Sequence, residues 1–318
     1  MSIAAYVWGI VVLGGSIGLV GLGADALGRV LYPSWRGALG VLSRVALGLC
    51  WVFAVAYVLG AVGWFRSVPL FGLVDGGALM AWWLLRPRSV TCMPRPGAAC
   101  RSQNGSVVAV MALVGVVLVV GAWLPGTVHA YRYGILEPDS VWYHGHFSAR
   151  FVQTGWLTRL NPVGVDALVP FHTANREVLD AVLVLPWHRD IALPLLNLVY
   201  LALLLLAGWC IGQRWDRGPL ALLVTALTAS APVMILSHPG SLKNDLLATA
   251  LLLTAVALFL HSDGHLPAVG LAGATLGLAA GTKSNLLLLV LVLLGLGAVW
   301  LLRRYGWRTA AAWVTAIG

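Results

Sequence analysis

The stretch SVVAVMALVGVVLVVGAWLPGTV, residues 106–128, contains no charged side chain and decides the class of fold. About 20 apolar residues in a helix cross the hydrocarbon core of a bilayer, which is roughly 30 Å thick. The apolar residues are continuous rather than alternating, which favours a helix over a barrel strand. Because a backbone in lipid must satisfy its own hydrogen bonds, we predict a membrane-spanning helix here.

The same pattern recurs along the chain. Of its 318 residues, 60% are hydrophobic and 10% are charged, whereas a soluble domain carries about 25% charged residues. Other apolar runs lie at 4–28, 45–65, 67–85, 191–212, 218–236, 246–260, 266–281 and 285–302, and a last one begins near 307. The sequence therefore predicts an all-α polytopic transmembrane helix bundle of about nine or ten spans.

Lysine and arginine are unequally divided between alternate short loops. One set of loops carries twelve of them and the other set three. The twelve are Arg29, Arg36, Arg44, Arg86, Arg88, Arg95, Arg101, Arg214, Arg217, Arg303, Arg304 and Arg308. Short basic loops stay in the cytoplasm, so we predict a multi-pass protein of the cell membrane whose long loop, 129–190, is extracytoplasmic.

The net charge of +9 follows from the same distribution. Basic residues stand singly or in pairs at the ends of apolar runs, where anionic headgroups attract them, so we exclude nucleic acid as a partner. The first run is too long for a cleaved signal and lacks a basic lead, so we expect it to remain as a span. The chain stops at Gly318 inside its last run, which we expect to reflect a truncation.

The loop 129–190 has the pattern of a structured element. Tyr143, Phe147 and Phe151 recur every four residues, which predicts an amphipathic helix lying in the membrane interface. The segment 174–185 predicts a second helix. Loops of this length in compact proteins are usually functional.

Unusual polar residues collect in three segments on the predicted outer side. Glu137 and Asp139 follow the run 106–128, and Lys283 lies in a tight turn near 282–285. A further loop carries His238, Lys243, Asn244 and Asp245. A carboxylate can accept a proton from a hydroxyl as general base, and a lysine can hold a phosphate as a point charge. We therefore predict a site at the outer rim of the bilayer.

Several of these stretches resemble a known family. Glu137-Pro-Asp-Ser-Val-Trp-Tyr-His, Pro239-Gly-Ser-Leu-Lys-Asn-Asp245 and Gly277-Leu-Ala-Ala-Gly-Thr-Lys283 are similar to actinobacterial membrane proteins of the type C glycosyltransferase superfamily. That superfamily includes protein O-mannosyltransferases and lipid A aminoarabinose transferases. The resemblance covers about residues 106–302. It implies a glycosyltransferase core at 106–318, incomplete at its C-terminus, and an N-terminal addition of three spans and a loop at 1–105.

The resemblance also implies roles for individual residues. Asp139 matches the catalytic base, with Glu137 as the alternative, because Pro138 separates two acids that are often adjacent in the family. Asp245 matches the second acidic position and Lys283 a phosphate contact. From residue type and place, we add Lys243, Asn244, His238 and His144 as substrate-binding candidates, with His144 as a surface or acceptor-contact histidine. The implied partners are a polyprenyl-phosphate sugar donor and a glycan, lipid or protein acceptor of the cell envelope.

Other interpretations remain open. A divalent cation shared between the acidic loops is compatible with these residues, although no spacing requires one. Asp75 lies well inside the third run, where it pairs with a neighbouring helix or lines a pathway. A transporter or lipid-binding scaffold without catalysis is the alternative function, and a truncated, inactive product is a third.

Overall fold

The computed structural model describes residues 2–85, 105–158 and 171–316. The described chain is 81% helical and has no strand. Its helices are α1 Ile3–Leu31, α2 Gly37–Ala61, α3 Ser67–Leu85, α4 Gly105–Tyr133, α5 Gly145–Thr154, α6 Asn175–Val184, α7 Leu196–Gln213, α8 Gly218–Ala229, α9 Pro232–Ser237, α10 Asp245–Leu260, α11 Leu266–Ala280, α12 Leu287–Tyr305 and α13 Trp307–Thr315. The all-α polytopic fold predicted from the sequence is confirmed.

Six helical stretches are long and apolar enough to cross a membrane. They are α1, α2, α3, α4, α7 with its preceding turn, and α12 with its preceding turn. Three more apolar helices, α8, α10 and α11, are shorter. The predicted nine or ten spans thus correspond to six full-length and three short apolar helices, with α13 covering the start of the last run.

The core of the bundle is built from α2, α7, α10 and α11. In the segment of α7 that could cross a membrane, 61% of the residues are buried. In the corresponding segments of α1, α3 and α12, at most 17% of the residues are buried. Those peripheral helices expose large aliphatic side chains such as Ile17, Val68 and Leu288. Apolar exposure on this scale suits contact with lipid rather than water.

Two helix boundaries differ from the prediction. The run 218–236 is broken into α8 and α9, because Ala231 adopts an extended ψ of 141° before Pro232, as residues before proline prefer. The run predicted at 45–65 is a helix that begins at Gly37, so Arg44 lies inside α2 rather than in a loop. The helix accommodates this charge because the Arg44 Nε lies 2.7 Å from the Asp25 Oδ1 of α1.

The loops segregate to the two ends of the bundle. At one end, here called the basic end, Tyr32 donates to the Pro267 carbonyl over 3.1 Å, and Arg214 lies 2.9 Å from Asp263. At the other end, here called the acidic end, the segment after α4 meets the loops before α10 and α12. This division matches the two sets of loops that the sequence predicts on opposite sides of a membrane.

Two acids within the apolar helices find partners on α1 or α2. Asp25 pairs with Arg29 at 2.6 Å and also with Arg44. Asp75 of α3 accepts a hydrogen bond of 2.9 Å from the Ser16 hydroxyl of α1. Of the two interpretations of Asp75, the pairing with a neighbouring helix is the one observed.

The contact between α7 and α8 depends on Gly208, where a Cβ would lie 2.2 Å from the Thr225 Oγ1. We expect Gly208→Val to destabilise the protein by about 1–3 kcal/mol, because the added side chain forces the two helices apart. Denaturant unfolding in detergent measures this change. Gly121→Val on α4 is the matched control, since no atom would lie within 4 Å of its Cβ. An equal loss in both variants would contradict the close packing.

Candidate functional site

Glu137 and Lys243 form the first ion pair of the acidic end. The Lys243 Nζ lies 3.0 Å from the Glu137 Oε1. The other carboxylate oxygen accepts hydrogen bonds from the Ser140 amide at 2.8 Å and the Ser140 hydroxyl at 2.7 Å. Burial raises the pKa of Glu137, but the hydrogen bonds from Ser140 and Lys243 outweigh it and hold the pKa below its usual range. Glu137 is therefore an ionised carboxylate with both oxygens occupied.

Asp139 is less constrained than Glu137. Its side chain is 46% exposed, against 17% for Glu137, and its nearest cation is the Lys243 Nζ at 4.0 Å. A π-helical turn at Ser140–His144 follows directly and leads into α5. Asp139 therefore presents a carboxylate toward solvent beside a lysine.

A second ion pair joins the start of α10 to the loop before α12. Lys283 contacts the Asp245 carboxylate, whose side chain is 41% exposed. The Asn244 amide donates to the Thr282 carbonyl over 2.9 Å. The His238 Nε2 lies 3.8 Å from the Asp245 Oδ2, too far for a hydrogen bond. Asp245 and Lys283 thus form a local pair that backbone contacts hold in place.

The two ion pairs belong to one cluster. Lys243 and Asn244 are adjacent in sequence, and the Leu242 amide donates to the Ser140 hydroxyl over 2.8 Å. Burial raises the pKa of the Tyr143 phenol, and nearby carboxylates from both pairs raise it further. These carboxylates are Asp139, Glu177, Asp245 and Glu137. The acids and lysines that the sequence assigns to separate loops therefore come together.

A buried charged network lies beside this cluster, on α6. Arg176 is fully buried, and its Nε lies 2.8 Å from the Asp180 Oδ1, which is also fully buried. Its other guanidinium nitrogens donate to the Asn197 Oδ1 of α7 over 2.7 Å and to the Ser241 carbonyl over 3.4 Å. A buried ion pair costs desolvation free energy unless its geometry and hydrogen bonds compensate. Here one guanidinium connects α6, α7 and the loop before α10.

Asn197 completes the connection. Its side-chain amide donates to the His238 carbonyl over 2.5 Å and to the Ser241 carbonyl over 3.0 Å. Gly240, between them, has a φ of 70°, which lets the loop turn there. Arg176 and Asn197 therefore fix the backbone just before Lys243 and, through it, the position of that lysine.

His144 is buried, so the expectation of a surface histidine is wrong, whereas its contact with an acceptor stays a prediction. Its side chain is 1% exposed, and its Nδ1 lies 2.5 Å from the Glu177 Oε1, which is similarly buried. The cause is the burial of α6, which packs against α5 and turns Glu177 inward. His238 is also buried, at 5% exposed.

The sequence predicts a helix at 174–185 but does not predict the burial of its charged residues Arg176, Glu177 and Asp180. Asn197 and Tyr143 were not assigned to the site either. For Asn197, the only indication in the sequence is that an asparagine lies within an apolar run. The sequence also left open a divalent cation shared between the acidic loops. Within the described residues, no three carboxylate, imidazole or thiol side chains are arranged to hold a metal ion.

Comparison with known proteins gives no further guide to this site. No family model matches the chain, and neither the curated proteins nor the solved structures contain a match to it.

We expect Arg176→Met to destabilise the protein by about 3–5 kcal/mol, because it leaves the Asp180 carboxylate buried without a cation. The double variant Arg176→Met with Asp180→Leu removes both charges and should recover part of this loss. Denaturant unfolding in detergent measures both. If the double variant is no more stable than the single one, Arg176 and Asp180 do not compensate each other.

Proposed function

We propose that this protein is an integral membrane glycosyltransferase that moves a sugar from a polyprenyl-phosphate donor to an extracytoplasmic acceptor. The observation that carries the proposal is the meeting of Asp139, Lys243, Asp245 and Lys283 at one end of an apolar helix bundle. A donor of this class is half hydrocarbon and half polar. It needs anionic and cationic groups at the rim of a bilayer, which is where this cluster would lie.

Asp139 is the better candidate for the general base. A base must be free to reach the proton that it accepts, and Asp139 is the more exposed of the two acids. Glu137 is held by Ser140 and Lys243, so its role is to orient that lysine. Of the two acids that the sequence offers as the base, the greater exposure of Asp139 supports Asp139.

Lys243 and Lys283 are the candidates for holding the donor phosphate. Both are partly exposed, at 22% and 26% of their side chains, and each has a carboxylate partner. The donor phosphodiester carries one negative charge shared by two unesterified oxygens, and it gains a second charge as the sugar leaves, so it can compete with a carboxylate for these ammonium groups. Asp245, once Lys283 turns toward the phosphate, is free to bind an acceptor hydroxyl together with Asn244.

The proposed step is a single displacement with inversion at the anomeric carbon. The acceptor oxygen forms a bond to that carbon as its proton passes to an Asp139 carboxylate oxygen. The bond from the anomeric carbon to the phosphate oxygen breaks, and its electron pair leaves with the polyprenyl phosphate. The two lysines stabilise the charge that develops on this leaving group.

We expect Asp139→Asn to lower sugar transfer by about 10²–10⁴-fold, the usual contribution of a general base. Release of labelled sugar from a panel of radiolabelled polyprenyl-phosphate hexoses measures this. Asp263→Asn is the matched control, since it removes an exposed carboxylate at the basic end. It should leave turnover unchanged.

Equal turnover in wild type and Asp139→Asn would contradict the assignment of the base. No turnover of any such donor by the wild-type chain would instead contradict the proposed activity. That second outcome would favour the transporter or scaffold interpretation, or an inactive product.

A further inference from the structure

An apolar groove runs between the N-terminal helices and the rest of the bundle. Its volume is about 450 Å³. It is lined by α1, α2 and α3 on one side and by α6 and α7 on the other. Its lining includes only three polar side chains, namely Ser16, Arg44 and Tyr200. The groove is separate from the acidic cluster, whose residues do not line it.

The groove has the depth of one lipid chain. Four of the five helices that line it are long and apolar enough to cross a membrane. The α2 residues that line it extend from Val41 to Val52, a rise of about 17 Å at 1.5 Å per residue. One leaflet of a hydrocarbon core near 30 Å thick is about 15 Å deep. A single hydrocarbon chain therefore matches the part of the groove along α2 in polarity and length, and the α7 residues Leu196 and Tyr200 line the end of the groove nearer the acidic end.

The charge at one end of the groove identifies the headgroup. Arg44 lines the groove in the second turn of α2, toward the basic end. Arg44 and Arg29 share one carboxylate, Asp25, which leaves one net positive charge. The Arg29 side chain is 60% exposed. A lipid whose acyl chain lies in the groove would have its headgroup next to Arg44 and Arg29. The net positive charge there favours an anionic headgroup over a zwitterionic one.

We infer that this groove binds one acyl chain of an anionic phospholipid, with the lipid phosphate beside Arg44 and Arg29. The lipid enters from the leaflet at the basic end, which is opposite to the acidic cluster. Its chain packs between the three N-terminal helices and the pair α6 and α7. The lipid would therefore join the N-terminal helices to the part of the bundle that carries the charged network. This inference does not depend on the proposed glycosyltransferase activity.

Native mass spectrometry of the full chain, released from detergent micelles that contain either phosphatidylglycerol or phosphatidylcholine, tests this inference. We expect saturable binding of one phosphatidylglycerol and weaker binding of phosphatidylcholine. Arg44→Gln should weaken phosphatidylglycerol binding about five-fold, the usual effect of one arginine near a lipid surface. Arg44→Lys, which keeps the charge, should bind more tightly than Arg44→Gln. Arg44→Gln leaves the Asp25–Arg29 pair intact, so the variant should still fold.

Two further pairs of variants separate the groove from the general surface. Val45→Trp fills the groove and should weaken binding, whereas Val58→Trp on the lipid-facing side of the same helix should not. Arg214→Gln removes an arginine from the basic end outside the groove and should also have no effect. Equal binding of the two lipids, or equal effects of Val45→Trp and Val58→Trp, would overturn the inference. Tighter binding of added polyprenyl phosphate than of phosphatidylglycerol would also overturn the inference, if Val45→Trp abolishes that tighter binding.

Discussion

The guanidinium of Arg176 is the contact on which the acidic end of the bundle depends. It is fully buried, it pairs with Asp180 on its own helix, and it donates to Asn197 and to the Ser241 carbonyl. A buried arginine is stable only when its donors are satisfied, so the three elements that supply these acceptors must meet around it. That requirement brings a helix of the long loop, a spanning helix and the loop before α10 into one arrangement. The ion pairs of the partly exposed carboxylates are held in place by this buried arrangement.

The helices could be predicted from the sequence because lipid leaves the backbone few alternatives. Continuous apolar runs located them, and the division of arginines located the loops on two opposite ends. The site could be predicted only in part. Asp139, Lys243, Asp245 and Lys283 stood out as charges at helix ends, and their convergence follows from loop alternation. The inward face of α6 could not be predicted, because charged residues on a short helix usually face water. Their partners, such as Asn197 for Arg176 and His144 for Glu177, lie 21 and 33 residues away in sequence.

The two kinds of charge at the acidic end have different consequences. Arg176, Asp180, His144 and Glu177 are closed off from solvent, so they set positions. Asp139, Asp245 and the two lysines are partly exposed and form pairs that a charged ligand can exchange. A rigid, buried network of charges next to exchangeable ion pairs is the arrangement that an enzyme for a phosphate-bearing lipid would need. The difference in exposure between Asp139 and Glu137, two residues apart, supports the different roles that we propose for them.

We propose that the acidic end faces the outside of the cell. Single cysteines introduced by Phe171→Cys and Trp215→Cys test it most directly, in a chain whose four native cysteines are replaced by alanine. Phe171 is 82% exposed in the long loop and Trp215 is 59% exposed at the basic end. A membrane-impermeant maleimide should label the first variant in intact cells and the second only after the cells are permeabilised. Labelling of the second variant alone in intact cells would contradict the account.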